Sequence, residues 1–301
     1  MYEIEMPVTD KSSGQGEGNG LQYGYSTMQG WRISMEDAHT TIPIVPGINT
    51  CSFYGIFDGH SGHTIAKYSA ENLLNIILKH SEMQDIIKPD NSENIDPSIL
   101  SRIIQESFVN LDNYMRTISP WKDGKDKSGT TVVCAFITKN DIILANCGDS
   151  RAFFSSRNIL KFVTQDHKPH NDGEKSRIEK AGGYVIMRRV NGCLAVSRAL
   201  GDYEFKTTKK MPSIEQQVSP LPEIMVIKRD YEHDEFLVLA CDGVWDVMSN
   251  QEVLDFVRKQ FQVHKDRGLI CDNLIEECFQ RGSRDNISVV LVIFPSAPEV
   301  I

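Results

Sequence analysis

No two cysteines in this chain are spaced C-x-x-C, and their number is odd, seven. That argues against a disulfide framework. Cys51, Cys134, Cys147, Cys193, Cys241, Cys271 and Cys278 mostly sit inside apolar runs, so they read as reduced, buried thiols of the cytoplasm or nucleus. Also missing is any apolar run long enough to span a membrane, and residues 1–10 carry no basic segment leading into an apolar one. Tyr2 stands where a myristoylation signal needs glycine. The expectation is a soluble chain without membrane association. Positive charge is scarce as well: the net charge is −9, against a nucleic-acid binder that must displace counterions from phosphates. His60-Ser61-Gly62-His63 is not the H-E-x-x-H of a zinc protease.

What is present centres on SFYGIFDGHSG, residues 52–62. Its first part reads as a buried strand that stops abruptly at Asp58-Gly59-His60. A carboxylate therefore stands at a strand mouth, beside a glycine that permits close backbone approach and an imidazole that titrates near neutrality. At 301 residues with 40% hydrophobic composition, one large domain or two small ones can bury a core.

Residues 1–20, ending in a run of alternating glycines, read as a flexible lead-in. Residues 21–28 alternate as a strand and are followed by GWRISMEDAH, residues 30–39, where Arg32, Glu36 and Asp37 crowd together. Apolar spacings of three and four predict a helix from residue 61 and another after Asp96-Pro97, with the polar loop 88–94 between them. Residues 130–137, 142–146, 151–155 and 160–163 read as an antiparallel meander, residues 174–181 as a short helix, and the proline-bearing stretch 205–222 as an exposed loop. A buried strand over 235–241 ends at Asp242-Gly243, Ser249 and Glu252 form a capping box, a helix covers 271–280, and a last strand over 287–294 begins just after Asp285. The expected fold is α+β, a central antiparallel β-sandwich with helices on both outer faces.

Glu36 and Asp37, Asp58, Asp242 and Asp285 share one placement, at the point where a core strand enters or leaves. Like charges brought near a low-dielectric interior need a counter-charge. In sequence the only nearby cation is Arg32, so the pattern points to bound metal, and oxygen-only ligation selects hard ions, Mg²⁺ or Mn²⁺. Cys147 and Cys241 point by strand alternation away from these acids and read as core.

Taken in order, GWRISMEDAH, FDGHSG, SGTT (128–131), CGDSR (147–151), TQDHKP (164–169), NGCLAVSRALGD (191–202), CDGVWD (241–246) and SRDNIS (283–288) resemble the metal-dependent protein serine/threonine phosphatase family known as PP2C or PPM, over residues 20 to 294. The resemblance implies a single catalytic domain over residues 21–296, with a tail at 297–301. It implies two Mg²⁺ or Mn²⁺ ions in a cleft at one end of the sandwich. Asp58 would bridge them, Gly59 lend its carbonyl, Asp242 and Asp285 complete the coordination of the second ion, and Glu36 and Asp37 hold metal-bound waters. Arg32 would bind the substrate phosphate, His60 protonate the leaving oxygen, and Asp149 with Asp246 hold a weaker third ion. The implied reaction is hydrolysis of phosphoserine and phosphothreonine in proteins by a metal-activated water, in signalling, by a monomer with no nucleic-acid or membrane partner. Residues 174–210 are expected to border the cleft and select substrates. Two rivals are a metal-binding scaffold without turnover and a two-metal phosphodiesterase; the complete set of acids speaks against the first, the missing basic track against the second.

Overall fold

A computed structural model describes residues 3–87 and 95–298. The chain begins with β1 (Glu3–Gly18), β2 (Leu21–Arg32), β3 (Ala38–Ile42), β4 (Ser52–His60), α1 (Thr64–Lys79), α2 (Ser81–Ile86) and α3 (Pro97–Met115). There follow β5 (Gly129–Ile137), β6 (Asp141–Cys147), β7 (Arg151–Ser156), β8 (Ile159–Val163), α4 (Asp172–Lys180), β9 (Val185–Ile186), β10 (Arg189–Val190) and β11 (Leu200–Gly201). The last part holds β12 (Glu223–Lys228), β13 (Asp234–Ala240), α5 (Asp242–Trp245), α6 (Asn250–Phe261), α7 (Arg267–Gln280) and β14 (Ile287–Ile293).

Two antiparallel sheets stack face to face, one ordered β1-β2-β14-β13-β7-β8 and the other β12-β6-β5-β4-β3 with β11 added beside β5. Alternation along each strand divides its side chains between layers. Tyr54 and Ile56 of β4 meet Leu237, Leu239, Val290 and Val292 between the sheets. Phe53 and Phe57 turn the other way, under α1 and α3. On the far side Phe153, Val238 and Leu291 pack beneath α6 and α7. The helix-flanked sandwich expected from the sequence is the observed fold. The capping box of α6 forms as read, with Ser249 accepting from the Glu252 N–H and Glu252 answering at the Ser249 N–H, a device that stabilises a helix start by about 1 kcal/mol.

Three expectations are corrected. The flexible lead-in is instead β1, a strand along the whole of β2, joined to it by Asn19-Gly20 with φ of 54° and 71°. Those are the backbone angles of a two-residue hairpin turn. Its glycines serve packing: a Cβ on Gly14 or Gly16 would strike the rings of Tyr25 and Tyr23 at 2.8 and 2.7 Å. The meander is broken, because β5 and β6 belong to one sheet and β7 and β8 to the other. Gly148-Asp149-Ser150 therefore carries the chain across the sandwich. Within the stretch read as an exposed loop, Phe205, Lys206, Gln216 and Val218 are buried. The loop 88–94 and the last three residues of the tail lie outside the described residues.

Candidate active site

Register brings the acids to one end of the sandwich. Phe57 pairs with Ala38 and Val132 with Cys147 in one sheet, while Ala240 pairs with both Arg151 and Val289 in the other. In antiparallel sheets the ends of β2, β4, β6 and β13 then lie beside the starts of β3, β5, β7 and β14. Arg32, Asp58, Asp149, Asp242 and Asp285, together with Glu36 and Asp37, all occupy those positions.

Carboxylate oxygens of Asp58, Asp149 and Asp242 lie within 4.8 Å of one another, as do ligand atoms of Asp37, Asp58 and Cys241. Among the described residues no hydrogen bond reaches the Asp58 or Asp242 carboxylate. Burial, followed by the charges of Asp242, Asp37, Asp149 and Asp285, holds the Asp58 carboxyl well above its ordinary range. Burial and then Asp149, Asp285 and Asp246 do the same to Asp242, against the pull of Lys168. Burial raises Asp37 to about 7 although the Ser288 hydroxyl donates to it at 2.6 Å. Asp246, one turn along from Asp242, is raised by burial and by Asp149 and Asp285. These groups repel one another, and the two at the centre, Asp58 and Asp242, have no donor among the described residues; hard divalent cations fit such a set of oxygens.

Two cations stand in the cleft. Arg32 pairs with Asp285, whose other oxygen accepts its neighbour's Asn286 N–H at 2.7 Å. Its Nε is buried without a hydrogen-bond partner, a donor still to be used. Lys168 pairs with Asp149; sequence reading missed it, because it lies on a loop with no apolar run beside it. The expected ligand Asp285 thus faces Arg32 here, while Asp149 sits inside the main cluster rather than apart from it. Asn286, also missed, ties the arginine loop down: its amide donates to the Gln29 and Ser34 carbonyls at 2.7 and 3.1 Å and accepts the Glu36 N–H at 2.9 Å. Glu36 further accepts from Ser34 Oγ at 3.1 Å. At Gly59 a Cβ would come within 2.3 Å of the Glu36 carbonyl oxygen, so the strand end and the acid-bearing loop can close on each other only over glycine.

His60 Nε2 lies 2.7 Å from Asp202 Oδ2. Burial by itself lowers the His60 pKa, but the Asp202 charge and hydrogen bond outweigh it and the net shift is upward. Of the cysteines only Cys193 is exposed. Both Cys147 and Cys241 are core residues, Cys147 under the helices and Cys241 between the sheets, but Cys241 does not point away from the acids: it lies one residue past the end of β13, where strand alternation stops, and its Sγ is within 4.8 Å of carboxylate oxygens of Asp37 and Asp58. Cys278 and Arg284 stand at the C-x₅-R spacing of a cysteine phosphatase, which sequence reading overlooked, but Cys278 is buried 3.6 Å from Met248 Sδ and burial pushes its thiol up to about 12, the reverse of an activated nucleophile. No helix among the described residues is long and apolar enough to cross a membrane.

The same architecture occurs in a solved phosphatase from a pathogenic strain of Toxoplasma gondii, with a TM-score of 0.78 and 26% identity over 95% of this chain and 96% of that one. A sex-determining protein of C. elegans aligns with a TM-score of 0.72 and 26% identity over 97% of this chain and 66% of that one. Sandwich and acidic cleft together define a phosphatase. The profile of protein phosphatase 2C matches residues 21–287. Human protein phosphatase 1A is 45% identical over 298 residues, 99% of this chain and 77% of that protein, and mouse protein phosphatase 1B is 45% identical over 300 residues, 99% and 76%. The chain belongs to the protein phosphatase 2C family and is, with it, a protein serine/threonine phosphatase.

Proposed function

We propose that the cleft hydrolyses phosphoserine and phosphothreonine in proteins with the aid of two Mg²⁺ or Mn²⁺ ions. Asp58, the Gly59 carbonyl, Asp242 and Asp285 would hold them, Glu36 and Asp37 would hold their waters, and Asp149 and Asp246 would serve a third ion. The observation that carries this is the convergence of Asp58, Asp149 and Asp242 within 4.8 Å with little to neutralise them. Bound there, divalent cations supply positive charge and Lewis acidity that lower the pKa of water.

The chain's own groups do the rest. Arg32 offers a planar fork that can take two phosphate oxygens, once it exchanges Asp285 for the incoming phosphate. Asn286 fixes the loop that carries it. Water attacks phosphorus, the ester P–O bond breaks, and His60 gives its proton to the departing oxygen. A serine or threonine alkoxide is a poor leaving group, so this proton is worth about 10² to 10⁴-fold.

Hydrolysis of a phosphopeptide panel under metal titration tests the reading. Turnover should vanish with excess chelator and return with Mn²⁺ or Mg²⁺. Activity that survives exhaustive chelation overturns the metal assignment, and failure to act on any phosphopeptide with metal restored overturns the substrate class.

A further inference from the structure

Asp202 closes the NGCLAVSRALGD motif, and the reaction as written above gives it no part. Its carboxylate is 4% exposed and sits 2.7 Å from His60 Nε2, while the imidazole is 24% open. We propose that Asp202 is the positioning residue of the proton donor: it accepts the Nε2 proton, fixes the ring, and leaves Nδ1 to serve the departing oxygen of the phosphoester. The inference rests on the role given to His60 in the phosphatase reading.

Three features of the fold converge on this one contact. The first is space. Gly129 is the register partner of His60 across β4 and β5. A Cβ there would lie 2.3 Å from Asp202 Oδ2 and 2.5 Å from His60 Nε2, so the pair meets only above a glycine.

The second is backbone. At the end of β11 the chain takes two consecutive left-handed residues, Gly201 at φ +80° and Asp202 at φ +52°. A residue with a Cβ seldom adopts that conformation, and Asp and Asn are among those that tolerate it. The turn is held by the Asp202 N–H on the Ser128 carbonyl at 3.2 Å and the Gly201 N–H on Asp112 Oδ1 at 2.8 Å.

The third is the anchor beneath. Lys206, with its side chain 1% exposed, donates from Nζ to Asp112 Oδ1 at 2.8 Å and to the Ala199 carbonyl at 2.9 Å. A fully buried ion pair is weak evidence for stability, since desolvation offsets its attraction. What this one secures is place: it clamps residues on both sides of the turn to α3. The carboxylate that meets His60 is thus set by α3, β5 and β11 together.

In the step itself the ester P–O bond breaks with its electron pair on the serine or threonine oxygen, and the His60 Nδ1 proton moves to that oxygen. The Nε2 proton stays on its nitrogen, hydrogen-bonded to Asp202. A protonated ring in the wrong orientation would protonate the leaving oxygen poorly.

The full-length Asp202→Asn protein, saturated with Mn²⁺, tests this against two substrates. A phosphothreonine peptide has a leaving oxygen that needs a proton; p-nitrophenyl phosphate has one that needs little help. Asparagine keeps the left-handed turn, so the expected result is a kcat loss on the peptide at least tenfold larger than the loss on the nitrophenyl ester. Equal losses on both, the signature of a merely structural role, overturn the proposal, and so does an unchanged peptide rate. Wild-type turnover measured alongside separates this from the parent reading, which fails only if the unaltered protein is inactive with metal. A second measurement does not depend on the variant folding. In the wild-type Mg²⁺ protein, ¹⁵N-edited NMR should show a low-field His60 Nε2 proton protected from exchange with solvent. Its absence overturns the assignment.

Discussion

At the scale of single residues, like charge is the dominant fact of the cleft, and Asp242 is where it is most concentrated. Burial and then three acids, Asp149, Asp285 and Asp246, raise its carboxyl. Asparagine preserves the shape and removes the charge, so Asp242→Asn should raise the thermal midpoint of the metal-free protein by about 2 to 4 °C, as relief of about 1 kcal/mol would in a domain of this general size. The same change should weaken Mn²⁺ binding by about 100-fold and abolish turnover with the fold intact. Calorimetry showing unaltered metal affinity would remove Asp242 from the ligand set. Asp58, Asp242 and Asp285 were legible in the sequence because each stands at the end or just before the start of an apolar run, a costly place for charge. Lys168, Asp202 and Asn286 were not. They sit on loops, and their partners Asp149, His60 and Glu36 lie 19, 142 and 250 positions away, a separation only the sheet register resolves.

At the scale of elements, the same register explains which parts of the fold could be read. Helices α1, α3 and α6 announce themselves by period and cap. β1 does not, since its glycines look like a linker until Tyr23 and Tyr25 are seen lying across them; the Asn19-Gly20 dipeptide was the available signal for a hairpin. The break between β6 and β7 was hidden because a short Gly-Asp-Ser link serves a hairpin and a crossing between sheets equally well. The segment read as bordering the cleft, residues 174–210, begins six residues after Lys168, which pairs with Asp149, and contains Asp202, which meets His60. A small separate core, including Ile178, Val190 and Val218, supports the β9–β10 hairpin. Its turn residues Met187 and Arg188 are both left-handed, at φ 50° and 61°, and Met187 is 86% exposed beside exposed Tyr184 and Ile186. Such a strained, apolar, basic tip adds little to stability, and we propose that it contacts protein substrates. Replacing it by Met187→Asn with Arg188→Gly suits the turn and should raise stability by about 1 kcal/mol. Relative kcat/KM among phosphoproteins should shift by about tenfold, with a smaller change on p-nitrophenyl phosphate. An unchanged ranking of phosphoproteins would show that the hairpin does not select substrates.

For the whole molecule, two opposed sets of groups make stability depend on pH and on metal together. His167 is buried and neutral: burial first, then Arg198, lowers its pKa to about 4, and its Nδ1 accepts the Gly148 N–H at 3.2 Å. An unfolded histidine keeps the ordinary 6.5, so the unfolded chain binds the extra proton between pH 6.5 and 4 and stability falls as pH falls through that window, by about 3 kcal/mol in all. Glu174 acts in the same direction lower down. Burial opposes its ionisation, but Arg198 at 2.7 Å and Arg177 at 2.8 Å bring it to about 2, so its contribution is lost between pH 4.5 and 2. The cleft acids run the other way. Asp37, Asp58 and Asp242 have raised pKa values, so the metal-free fold holds protons that the unfolded chain has released, and it loses stability as pH rises toward and past 7. Divalent cations bind the deprotonated form and remove that cost. The gap in thermal midpoint between Mn²⁺-saturated and chelated protein should therefore widen from pH 5 to pH 8, while the metal-bound protein alone still weakens below pH 6.5 through His167. Differential scanning calorimetry across that range decides the matter. A gap that stays constant with pH would mean that the carboxylates meeting at the end of the sandwich are not where the cations bind.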